Sequence, residues 1–340
     1  MANQEMVELF REELALCKVE PGETVTVLSE GRESRDYAEA FLEAAGQLHA
    51  KTVDLNLSVE ADLDANQKLE QFGINQLAQN PAAIDTLKRS DLIVDLMVAS
   101  FSKEQDEIQA EGPRMILVAE AFDSLKRLFP TKEQRTRTEA SAARLTDARS
   151  FRFTNAAGTD LSYELGAYPI VVEYGYADQP RRWDHWGGTM VATCGTDVGV
   201  QGRVVMDKGD ILLPQLHLLE DTIEFIIRDG YVKEINGGSE AAKLRTFMEK
   251  YDDPRAYAVS HVGWGTNENA EWSATGIGMD SRSYYGNVLF SLGPNTEFGG
   301  TNDTTCHLDL PMKGCTVYLD DEMIIENGVM VPDDLRAPER

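Results

Sequence analysis

Two short runs constrain the fold most: DLIVDLMV at 91–98 and RMILVAE at 114–120. Each is almost wholly apolar, without the alternation of a strand that keeps one face in water. Strands of this kind are covered on both faces, the condition of a parallel sheet flanked by helices. The surrounding sequence supplies those helices. Residues 3–18 carry apolar side chains at helical spacing. Residues 33–48 read as a helix with Ser34 as N-cap, 80–90 as one with Pro81 in its first turn, and 121–146 as another. VTVLSE and KTVDLNL add two more strands. This order predicts an α/β N-terminal domain with a mainly parallel sheet over 1–149.

From about residue 150 the pattern changes. FRFTNAAGTDLSYEL reads as two strands joined at AAGTD, and 202–238 as strands separated by DKG, ED and DG turns. One helix (239–251) interrupts them; VSHVGWG, NVLFSLG, HLDLPM and the CTVYLDDEMIIENGVMV hairpins follow. The prediction for 150–340 is a β-rich α+β domain that would be the metal-binding, catalytic one.

With 58 acidic and 32 basic residues, the formal charge of −26 repels phosphate backbones, so no nucleic-acid partner is expected. Four scattered cysteines (Cys17, Cys194, Cys306, Cys315) read as reduced. The charged opening residues and the lack of any apolar run of about 18 lead us to expect a cytoplasmic protein without a membrane span. Neither GxGxxG nor GxxxxGK[ST] is found, so the first half shows no nucleotide-binding signal.

Four of the five histidines lie in the second half. His307 and Asp309, two apart in an expected strand, point to one face and can reach one metal ion. His261, in SHVGWGTN, is the best third ligand, and two histidines with one carboxylate suit non-haem Fe(II). A hydrogen-bonded pair on a sheet is the plainer reading of HxD alone. His185 in RRWDHWGG is either an acid/base in an aromatic pocket or part of a solvent-facing loop. Glu173, closing an apolar strand, is a general base, a metal ligand or a strand-end charge. Trp183, Trp186 and Trp264 could form an aromatic wall. His217, within an apolar run, reads as a core residue, His49 as a helix-end cation, and Asp91 and Asp95 as strand-end groups facing a cleft.

Taken together, GTDLSYEL (158–165), GDILLP (209–214), SHVGWGTN (260–267) and CHLDLPMKGCTVYLD (306–320) resemble the 2,5-dihydroxypyridine 5,6-dioxygenases, non-haem iron enzymes of nicotine and pyridine-carboxylate breakdown. The likeness spans the whole second half, and the first half is compatible in order and length. It implies a fold shared with the thermophilic metallo-aminopeptidases and a homo-oligomer. It also implies Fe(II) at His261, His307 and Asp309 with the Ser291 hydroxyl as a further, weak metal ligand, and Glu173 and His185 handling substrate hydroxyls or protons. The activity implied is opening of a dihydroxylated pyridine or related hydroxylated aromatic with O2; the alternative is a metal-dependent hydrolase of the aminopeptidase type. The chain departs from the family pattern at two places: Phe101 in LMVASFSKEQ stands where the family carries an N-terminal-domain histidine, and WDHWGGTM lacks a second histidine. GGTMVATCGTD has no glutamate for a second metal, which counts against a two-metal peptidase.

Overall fold

The computed structural model describes residues 3–32, 34–58, 75–213 and 215–338; residue 33 of the expected second helix and Pro214 of GDILLP lie outside them. The chain forms two compact units, each assembled from separate stretches: Met1–Pro130 with Tyr174–Gly188, and Thr131–Glu173 with Thr189–Arg340. The helix at 132–147 thus belongs with the strands that follow it, and a segment from beyond residue 150 belongs with the first unit.

The first unit has an all-parallel sheet in the order Lys51–Leu57, Thr24–Glu30, Leu92–Asp95, Arg114–Leu117, Trp183–His185. Leu92–Asp95 and Arg114–Leu117 are buried at every position, as their apolar runs predict. Lys51–Leu57, at one edge, keeps exposed residues at alternate positions. On one face Ile84 and Leu87 from helix Pro81–Leu87 and Ile108 from helix Lys103–Gln109 pack with Leu28, Ile93 and Met115. Elsewhere in this unit Phe10 of helix Gln4–Leu16 stacks on Phe41 of helix Arg35–Gln47 at 3.9 Å, with Trp186 edge-on at 5.5 Å. Burying side chains of this size contributes roughly 1.5–3 kcal/mol each.

The single helix expected over 121–146 is two helices, Phe122–Arg127 and Lys132–Asp147. Pro130 breaks it, because it lacks an N–H and biases Phe129 away from helical geometry. Thr131 then starts the second helix with a capping box: its Oγ1 accepts from Gln134 N at 3.2 Å, and Gln134 Oε1 accepts from Thr131 N at 3.1 Å.

The second unit is strand-rich. Eight strands form one antiparallel sheet in the order Tyr231–Gly237, Ile223–Arg228, Val200–Met206, Asp160–Glu164, Ser150–Thr154, Thr316–Leu319, Glu322–Glu326, Val329–Met330. Five form a second, Leu308–Met312, Val288–Leu292, Val259–Gly265, Met190–Cys194, Val171–Glu173, and Ile211–Leu212 pairs with His217–Leu218 as a separate two-stranded ribbon. Phe151, Phe153 and Phe225 from the first sheet share one core with Val262, Trp264 and Phe290 from the second. Among the described residues no helix is long and apolar enough to cross a membrane.

Candidate metal centre

The five-stranded sheet brings the HxD pair and His261 together. Ser291 lies directly opposite Asp309 in register, so both side chains rise from the same face. Between Val259 and Val262 the pairing with the Val288–Leu292 strand shifts, and His261 sits in that irregularity. Its other neighbour runs close: a Cβ on Gly263 would meet Val191 O at 1.8 Å, so only glycine fits there.

His261 Nε2 lies 3.1 Å from Asp309 Oδ1, and His307 Nε2 lies 3.2 Å from the same oxygen. One donor atom from each of the three residues falls within 4.8 Å of the others. Two imidazole nitrogens and one carboxylate oxygen converging in this way fit a divalent transition metal. The rest of the carboxylate is occupied: Arg282 Nε donates to Asp309 Oδ2 at 2.6 Å, which leaves Oδ1 as the oxygen offered to a cation. The far nitrogen of His261, Nδ1, faces Ser291 Oγ at 3.1 Å and Glu297 Oε1 at 3.3 Å.

His261, Asp309 and Ser291 are buried, and His307 is partly so. Burial disfavours charge on both His261 and Asp309, yet their neighbours prevail. The Asp309 and Glu297 carboxylates push His261 up to about 9. Arg282, His307 and His261 hold Asp309 well below the usual carboxylate range. Without a metal the site is therefore an ion-paired cluster. A cation at Oδ1 would take over the charge that the protonated imidazole supplies, so metal binding displaces a proton.

Ser291 meets the ring nitrogen of His261 that points away from Asp309. Glu173 is buried at the end of the outermost strand of this sheet, paired with Met190. His185 belongs to the first unit, where Trp183–His185 is a strand and not a solvent-facing loop; Asp184 and His185 are both buried. Asp184 accepts from the backbone N–H groups of Tyr174, Gly175 and His185. Of the three tryptophans expected as a wall, two are core: Trp186 packs with Phe10, and Trp264 packs with Phe151 and donates to Ser141 Oγ. Trp183 lies 4.9 Å from the Phe101 ring and donates to Ser100 Oγ at 2.9 Å. Phe101 has a left-handed backbone (φ 60°). His217 is half-exposed and paired with Glu240 at 3.1 Å, not in the core, because its short strand leaves one side open. Asp95 turns onto its own loop, accepting from Met97 N and Ala99 N, and Asp91 accepts from Thr24 N.

Arg282 and Glu297 escaped the sequence reading. Arg282 comes from the short helix Met279–Ser283 and Glu297 from the 3-10 turn Thr296–Phe298. Neither element has a periodic pattern to mark which side chain turns toward the sheet.

A family model described as 2,5-dihydroxypyridine 5,6-dioxygenase matches residues 5–332. A 2,5-dihydroxypyridine 5,6-dioxygenase of Pseudomonas putida is 38% identical over 99% of this chain and 99% of its own. A solved structure of 2,5-dihydroxypyridine dioxygenase from Pseudomonas putida superposes with a TM-score of 0.93 at 37% identity, covering 99% of this chain and 100% of that one. AmpT from Thermus thermophilus, 12% identical with a TM-score of 0.67 over 96% of this chain and 99% of its own, shares the fold alone.

Proposed function

The chain belongs to the 2,5-dihydroxypyridine 5,6-dioxygenase family, and from that premise we propose that it is an Fe(II)-dependent ring-cleaving dioxygenase. Its substrate is a dihydroxylated pyridine of the 2,5-dihydroxypyridine kind or a closely related hydroxylated aromatic. The observation that carries the reading is the convergence of His261 Nε2, His307 Nε2 and Asp309 Oδ1, with Asp309 Oδ2 engaged by Arg282. His261, His307 and Asp309 would hold the metal. When bound, Fe(II) supplies Lewis acidity and a redox couple through which dioxygen and an electron-rich ring can react.

The chain's own groups do the rest. Arg282 keeps Asp309 ionised and turned so that one oxygen faces the metal. Ser291 holds the far nitrogen of His261 and is assigned to orienting that ring beside the metal. Glu173 or His185, each buried in its own unit, would take the proton of a substrate hydroxyl or return one as the ring opens. Positioned groups of this kind contribute about 10²–10⁴-fold. The same donor set could hold zinc for hydrolysis, and metal identity separates the two chemistries. The test is anaerobic loading of the chain with Fe(II), addition of 2,5-dihydroxypyridine, and admission of oxygen. Oxygen uptake with loss of the aromatic absorption is expected; an iron-loaded chain that takes up no oxygen with any hydroxylated pyridine or catechol contradicts the proposal.

A further inference from the structure

Glu297 has no role in the reading above, and its placement calls for one. Its side chain is only 9% exposed. Oε1 lies 3.3 Å from His261 Nδ1, and Oε2 accepts no hydrogen bond among the described residues. A buried carboxylate with an unused oxygen is costly to keep.

The segment carrying it is tightly knitted. Asn295 Oδ1 accepts from Asn302 N at 2.9 Å, Asn302 Nδ2 donates to Gly293 O at 2.7 Å, and Phe298 N donates to Asn295 O at 3.1 Å. A Cβ on Gly300 would lie 2.1 Å from Asn295 Oδ1, so a larger residue there would have to displace the Asn295 amide that ties the turn. Phe298, buried beside Glu297, holds its ring 5.6 Å from the His261 ring. The turn therefore presents Glu297 to the imidazole in a preset position.

We propose that Glu297 is a positioning residue that keeps the proton of His261 on Nδ1, and so keeps Nε2 free as the metal-facing donor. The inference rests on the assignment of His261 as a metal ligand. A neutral imidazole has one N–H, and whichever nitrogen carries it cannot bind metal. Ser291 Oγ cannot decide the matter, because a hydroxyl accepts or donates with equal ease. A carboxylate only accepts. Asp309 Oδ1, the acceptor at Nε2, is given up to the cation when metal binds, which leaves Glu297 as the carboxylate facing His261 and makes Nδ1–H the stable arrangement. Glu297 also makes the opposite nitrogen a better electron-pair donor, as carboxylate partners of ligating histidines do.

The experiment measures Co(II) affinity of the full chain by chelator competition for the parent, Glu297→Ala, Glu297→Gln and Ser291→Ala. Loss of the carboxylate is expected to weaken binding about 10–100-fold. Ser291→Ala should lose less, and Glu297→Gln should fall between parent and Glu297→Ala. In the Co(II)-loaded parent, the shifted NMR spectrum should contain a slowly exchanging His261 Nδ1 proton that exchanges rapidly in Glu297→Ala. A general packing role would not move that signal. Should Glu297→Ala fail to fold, Glu297→Gln decides by the same two readouts. Parent-like affinity with an unchanged Nδ1 proton overturns the inference. A parent that binds no Co(II) overturns the metal assignment itself, a distinct outcome.

Discussion

Replacing Arg282 with methionine removes the cation from a buried carboxylate while keeping a long, mostly apolar side chain. Arg282 Nε donates to Asp309 Oδ2 at 2.6 Å, and the two side chains are 13% and 6% exposed. Breaking such a pair from one side leaves an uncompensated charge and costs about 3–5 kcal/mol. In a unit of ~150–250 residues each kcal/mol lowers Tm by about 2–4 °C, so the chelated variant should melt roughly 6–20 °C below the parent. His261 and His307 still contact Oδ1 and push the value toward the lower end. The assay is a pair of thermal melts, one with excess chelator and one with saturating Co(II). The cation takes over part of the lost compensation, so the gap should narrow on loading. Equal melting of parent and Arg282→Met in chelator would refute the picture of Asp309 as an ionised carboxylate that depends on this partner.

Three further outcomes follow from the same geometry. Asp309→Ala or His307→Ala should leave a folded chain whose metal content by elemental analysis falls to a small fraction of the parent's; full stoichiometry in either removes it from the ligand set. Gly263→Ala should yield little folded protein in expression and melting assays, because its Cβ would sit 1.8 Å from Val191 O; a normal melt would contradict the close strand approach beside His261. Asp210 is pushed up to about 6, chiefly by burial. A carboxyl raised in the folded state contributes most below its unfolded value near 4 and loses that contribution as pH rises through 6. Across that window the parent should therefore lose about 2–3 kcal/mol relative to Asp210→Asn in denaturant titrations; parallel profiles would contradict it.

The parts of this account that were legible in the sequence are those written in a period. Two almost wholly apolar runs announced a parallel sheet, and the HxD spacing pointed to one site for both residues, although the strand itself is Leu308–Met312 and His307 stands one residue before it. The His261 strand was legible too, since VSHVGWG reads as extended. What escaped depends on long-range closure. Trp183–His185 is a short strand whose partner, Arg114–Leu117, lies far back in the chain, and nothing local distinguishes it from a loop. The bulk of Trp186 and Trp264 suited a pocket wall as well as a core, and only packing against Phe10 and Phe151 separates the two. Arg282 and Glu297 reach the site from a one-turn helix and a 3-10 turn, where a single side chain carries the function and no pattern surrounds it.

The most direct test of the central claim is the stoichiometry of oxygen consumed per ring opened by the Fe(II)-loaded chain. Under anaerobic conditions 2,5-dihydroxypyridine should bind without being consumed. On admission of oxygen, one O2 should disappear for each ring lost, and the zinc-loaded chain should do neither. Ring opening without oxygen, or equal turnover with zinc, would contradict the account.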